Sequence, residues 1–202
     1  MNIIKNKQML RLTSPIPVSV NHYLKPRAFV TWKGKTPIAN VTMYETAEAK
    51  KYKREFINYV KEQVKKQGWI KSEDKFQKYY LDAIFYFPRI DCDCNNYWKL
   101  LADSITESEC VWIDDIQLCE RVQGIFYDSK NPRIEIIIRP VNYIGVFKDA
   151  SQLETFESNC IECTRYNRNC SLLRNAKEGR IQEEIISNCN EVSCSKFKSK
   201  KK

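Results

Sequence analysis

The stretch DCDCNNYWKLLADSITES, residues 91–108, alternates two aspartates with two cysteines and then changes its period. Asp91, Asp93 and Asn95 recur at every second position, as side chains on one face of an extended strand do. Cys92 and Cys94 then point the other way, as small buried hydrophobes. A single residue separates them, closer than the two to four usual between zinc ligands. From Asn96 the spacing is helical, and Asn95 or Asn96 is the expected cap. Trp98, Leu101, Ala102 and Ile105 form an apolar face, and Asn96, Lys99 and Asp103 form a polar one. A strand end running into this helix sets three oxygen-bearing side chains beside a lysine. Oxygen donors of that kind suit a hard cation such as Mg²⁺. Lys99 and Asp103 also form an ordinary i,i+4 pair.

Outward from this stretch, ECVWIDDIQLCERV (109–122) brings two adjacent aspartates after an apolar run. If Asp114 and Asp115 lie near the first cluster, they complete a carboxylate site. Like charges so crowded need a cation to hold them. Taken alone, the pair reads as a turn or a helix start. Upstream, LRLTSPIPVSVNHYL (10–24) alternates like a strand broken by Pro15 and Pro17. AFVTWKGKTPIANVTMY (28–44) reads as a strand, a turn at Gly34 and an irregular return. TAEAKKYKREFINYVKEQVKKQG (46–68) is a helix capped by Thr46 and stopped by Gly68. KFQKYYLDAIFYFPRI (75–90) and GIFYDSKNPRIEIIIRPV (124–141) supply further strands. The fold class is α/β, an α+β mixed sheet with two main helices, followed by a small Cys-rich module of zinc type.

The chain has 202 residues and a net charge of +9, which favours an acidic partner such as nucleic acid. No apolar run reaches the ~20 residues of a membrane span. The N-terminal residues lack the pattern of a secretory leader, so the expected compartment is the cytoplasm. Nine cysteines in a reducing compartment are core residues, metal ligands or reactive thiols. Basic residues on the segment Lys25, Arg27, Lys33 and Lys35, and on the helix at 50–66, can meet phosphates, though each is also an ordinary solvated face.

The composition changes near Lys148. We therefore expect a domain over 1–148 and a Cys-rich tail with a basic end over 149–202. The tail carries Cys160-x2-Cys163-x6-Cys170 and Cys189-x4-Cys194. Four of these five cysteines are expected to hold Zn²⁺, with an iron–sulfur cluster or free thiols as the alternatives. So short a segment needs a staple to fold.

The pattern Asp-x-Asp-Asn-x-x-Lys-x-x-x-Asp, followed by Asp-Asp-x-Gln, resembles the RusA family of Holliday-junction resolvases. It is carried by DCDCNNYWKLLADSITESECVWIDDIQ, with support from PIPVSVNHYL and TAEAKKYKREF. The resemblance covers roughly residues 10–142 and implies a bacterial or phage-encoded homodimer acting in recombination and repair. Its substrate would be branched DNA, a four-way junction nicked symmetrically with Mg²⁺, or Mn²⁺ in its place. It implies Asp91, Asp93 and Asp115 as metal ligands and Lys99 as the catalytic lysine. Asn95, Asn96, Asp103 and Asp114 would be helpers. The chain departs from the pattern at Asn95, where the family has its second aspartate. Either Asp93 is the first family aspartate and Asp91 is extra, or Asp91 and Asp93 are the pair with two residues added. The alternative to an enzyme is a non-catalytic DNA-binding or partner-docking protein on the same scaffold.

Overall fold

Leu10–Pro15 (β1) alternates buried and exposed residues along its whole length, the pattern of a strand with one face in a core. It lies antiparallel to Arg133–Pro140 (β6), Leu10 opposite Ile138 and Pro15 opposite Arg133. The structure is a computed structural model that describes residues 8–188 and 191–200. Their described parts form two compact units, one of residues 8–73 and 80–139, the other of 74–79 and 140–200.

The first unit is built on a four-stranded sheet. Tyr79–Phe87 (β4) and Leu118–Tyr127 (β5) complete it, in the order β1-β6-β4-β5. The Asp128 N–H donates to Phe87 O at 2.8 Å, and the Tyr86 and Phe126 rings stack at 5.5 Å. The ends of β4 and β5 therefore lie together and the two strands are parallel. Parallel neighbours need a crossover, which the helix Trp98–Glu107 (α3) supplies.

Ala47–Gln67 (α2) runs over the sheet as its sequence requires. The Thr46 hydroxyl accepts from the Ala49 N–H, and Gly68 closes the helix at φ 65°, where a side chain would be strained. Ala49, Tyr52, Phe56 and Val60 are buried on α2, with Trp98, Leu100, Leu101 and Ile105 on α3. Val20–Tyr23 (α1) is a single helical turn.

Two readings of the sequence need correction. The return at 36–45 is regular: Leu24–Lys33 (β2) and Thr36–Glu45 (β3) pair residue for residue as a separate two-stranded ribbon. The strand expected to run to residue 90 ends at Phe87, because Pro88 has no N–H for the ladder. DCDCN is thus an irregular turn. The caps expected at Asn95 or Asn96 fall elsewhere, since Asp93 caps the short 3-10 turn Cys94–Asn96 and Tyr97 precedes α3 with no side-chain cap.

The second unit has its own small core of Phe147, Leu153, Phe156, Ala176 and Val192. Around it lie Ala150–Ile161 (α4), Leu172–Lys177 (α5), and a hairpin of Ile185–Asn188 (β7) with Glu191–Cys194 (β8).

Candidate active site

Although DCDCN is not a strand, its exposure still alternates. Asp91, Asp93 and Asn95 are exposed, and Cys92 and Cys94 are half-buried. The aspartates are thus open to solvent, while Cys92 turns toward the Tyr97 hydroxyl. That hydroxyl is pushed up by burial and then by the Cys92 thiol. Asp91 pairs with Arg89 at 2.8 Å, which engages one of its oxygens. One oxygen of Asp93 accepts the Asn95 N–H at 3.0 Å, leaving the other for solvent or an ion.

Lys99 is exposed in the first turn of α3. Asp103, one turn on, holds it at 3.3 Å. Asp103 is itself held from behind. The Tyr23 hydroxyl lies 3.2 Å from Asp103 Oδ2 and 2.9 Å from Glu45 Oε1. Glu45 accepts from Lys53 at 2.6 Å, and Lys53 also reaches Glu107 at 2.5 Å. The Tyr23 hydroxyl is pushed up to about 12, first by burial and then by its bond to Glu45. Burial opposes the charge on Lys53, but its bonds to Glu107 and Glu45 outweigh that and hold the ammonium protonated. The sequence reading missed Tyr23, Glu45, Lys53 and Glu107. A signal existed: Lys53 sits three residues before Phe56 and seven before Val60, on the apolar face of α2.

The second aspartate pair stands elsewhere in the same chain. Asp114 caps the 3-10 turn Asp115–Gln117, which leads directly into the start of β5. Its carboxylate accepts the Ile116 N–H at 3.0 Å, and the buried Gln117 accepts the Asp114 N–H in return. Asp91 and Asp93 follow the far end of β4, which is parallel to β5. Asp91 and Asp93 thus follow one end of β4, and Asp114 and Asp115 precede the end of β5 that lies beside the other. Among the described residues no three His, Cys, Asp or Glu side chains are arranged to hold a metal ion. Asp115 is exposed, and its charge adds to burial in raising the Glu120 carboxyl.

The basic residues sort by strand geometry. Lys25, Arg27 and Lys33 fall on one face of the β2–β3 ribbon, opposite Tyr44, Thr42 and Thr36, and Lys35 lies in its turn. The other face is apolar from Pro26 to Trp32, with Pro26, Ala28, Val30 and Trp32 opposite Met43, Val41, Ala39 and Pro37. Trp32 is 68% exposed and Val41 69%.

In the second unit, Cys160, Cys163, Cys170 and Cys194 line one cavity. Cys189 lies outside the described residues. No helix among the described residues is long and apolar enough to cross a membrane. A family model, that of the endodeoxyribonuclease RusA, matches residues 14–139, a span that includes every aspartate discussed above and Lys99. No curated protein matches the chain.

Proposed function

Since the chain belongs to the RusA family of endodeoxyribonucleases, which implies Holliday-junction resolution, we propose that it cuts branched DNA with Mg²⁺ as a homodimer in recombination and repair. What supports this is that Asp91, Asp93 and Lys99 are each exposed within the matched span, and that Lys99 is held by an Asp103 bonded in turn to Tyr23.

The donor set fits a hard divalent cation. Asp93 and Asp115 present exposed oxygens, and no lysine or arginine pairs with either among the described residues. Asp91 offers the oxygen that Arg89 leaves. These three residues would hold the ion, with Asn95 and Asp114 as neighbours. Bound there, Mg²⁺ supplies an activated water and neutralises charge on the phosphodiester. Lys99 then faces the phosphate and stabilises the charge that develops on it or on the leaving oxygen. Asp103 fixes the direction of the Lys99 ammonium, and Asn96 lies on the same side.

The separation of Asp115 from Asp91 and Asp93 gives the dimer a chemical reason. A two-fold partner can bring its own Asp115 to this chain's Asp91 and Asp93, and the symmetry then makes two such sites. Two sites related by a two-fold match the two symmetric strands of a four-way junction. The apolar face of the ribbon is a surface for the partner copy, and its basic face with Lys25, Arg27, Lys33 and Lys35 is left for phosphates.

The test is cleavage of a synthetic mobile four-way junction by the purified protein, with Mg²⁺, Mn²⁺ or EDTA, beside Asp93→Asn. Paired nicks that need both the cation and Asp93 support the reading. Tight junction binding without cleavage at any Mg²⁺ or Mn²⁺ level overturns it. That outcome favours a junction-binding protein, the role to which Asn95 in place of a carboxylate points.

A further inference from the structure

The second unit collects its cysteines from four separate places in the chain. Cys160 lies in the last turn of α4 and Cys163 in the turn that follows. Cys170 stands just ahead of α5, and Cys194 ends β8. All four thiols are free, and all four line one cavity of about 180 Å³. From this convergence we propose that Cys160, Cys163, Cys170 and Cys194 form a structural tetrathiolate site for Zn²⁺.

Several features of the cavity agree. Cys160 and Cys194 are both half-buried against the small core of the unit. The lining also carries Arg165, Arg174 and Lys196, cations that offset the double negative charge of four thiolates around one divalent ion.

Ligand chemistry selects the metal. Four soft sulfurs with no carboxylate suit zinc, and the two-residue spacing of Cys160 and Cys163 is that of a zinc knuckle. The side chains as they stand do not form a closed centre. Cysteine side chains reorient by rotation about a single bond, and binding couples that closure to folding.

The unit also has a physical need for a cross-link. Its buried core among the described residues is small, and a hairpin of two four-residue strands is marginal alone. A metal held by these four cysteines ties the end of α4, the segment before α5 and the end of β8 to one point.

The test uses the full chain, expressed with zinc and passed through a chelating resin to remove loose metal. Metal content is measured for the native protein and for Cys163→Ser, Cys170→Ser, Cys194→Ser and Cys189→Ser. The expected result is one zinc per chain in the native protein and in Cys189→Ser, with loss in the other three. Cobalt in place of zinc should give the intense visible bands of tetrahedral thiolate coordination. Native protein that holds no zinc, or holds iron with inorganic sulfide, overturns the proposal. So does zinc lost in Cys189→Ser but kept in Cys194→Ser. Junction cleavage plays no part in the readout, so the result is independent of the nuclease reading.

Discussion

Asp103 lies between the Lys99 ammonium at 3.3 Å and the Tyr23 hydroxyl at 3.2 Å, so the lysine is anchored through a carboxylate to a buried tyrosine. On a solvated helix an i,i+4 pair alone is worth only ~0.3–0.5 kcal/mol. The tyrosine removes much of the freedom that would otherwise let Asp103 swing away.

If Asp103 orients Lys99, Asp103→Asn and Tyr23→Phe should slow junction cleavage at saturating DNA. We expect roughly 10-fold for the first, equivalent to about 1.4 kcal/mol, and several-fold for the second. Junction affinity in EDTA should stay within about twofold of native. Measuring both on the same preparations separates positioning from folding. Equal losses of binding and turnover would point to structural damage instead.

Lys53 is buried with Glu45 and Glu107 as partners. Lys53→Met strands Glu45 beside Tyr23 and should cost about 2 kcal/mol, between the value of an exposed pair and that of a fully buried one. Urea midpoints at neutral pH measure it.

The same pair sets a pH limit. The bond from Lys53 holds the Glu45 carboxyl below the ordinary value of 4.5, with burial working against it. A depressed carboxylate adds stability that is complete above the ordinary value and disappears as pH falls through the lowered one. Native protein should therefore lose stability in acid more steeply than Lys53→Met. Parallel curves between neutral pH and pH ~3 would sink the assignment.

Trp32 sits on the apolar face of the ribbon and is 68% exposed. Trp32→Glu should leave the melting temperature of the fold within a degree or two but shift the mass in solution from dimer to monomer. Light scattering behind a sizing column reads this directly. A native protein that is already monomeric at high concentration would remove the ribbon from the interface.

Gly145 has φ 56°, and a methyl group on it would collide with the carbonyl oxygens of Ala176 and Lys177. Gly145→Ala should destabilise the second unit by about 2 kcal/mol or more. Limited proteolysis after residue 140 detects this, and resistance equal to native would contradict it.

The parts legible in the sequence were those set by local chemistry. Thr46 and Gly68 bounded α2 because caps depend on neighbours only, and Trp98, Leu101, Ala102 and Ile105 marked the buried face of α3 by spacing alone. The 91–95 alternation predicted the exposure of its side chains correctly while the strand assignment failed, since Pro88 ended the ladder first. Non-local placement was not legible. Nothing in ECVWIDDIQ says that β5 runs parallel to β4, which is what puts Asp115 and Asp91 at opposite ends of it. Lys53 read as one more lysine on a solvated helix, because its partners lie 8 and 54 residues away in the chain.

The pairing of Leu10 with Ile138 also sets a schedule. A ribosome that has just released β1 must add the rest of the first unit before β6 exists to receive it. At ~5–20 residues per second that interval is roughly 6–25 s. Throughout it, β1 is without its partner and the apolar side of the ribbon is exposed. The nascent chain is thus most vulnerable to sticking to its neighbours before β6 emerges, and a stall or truncation short of residue 133 yields a product with no sheet to close.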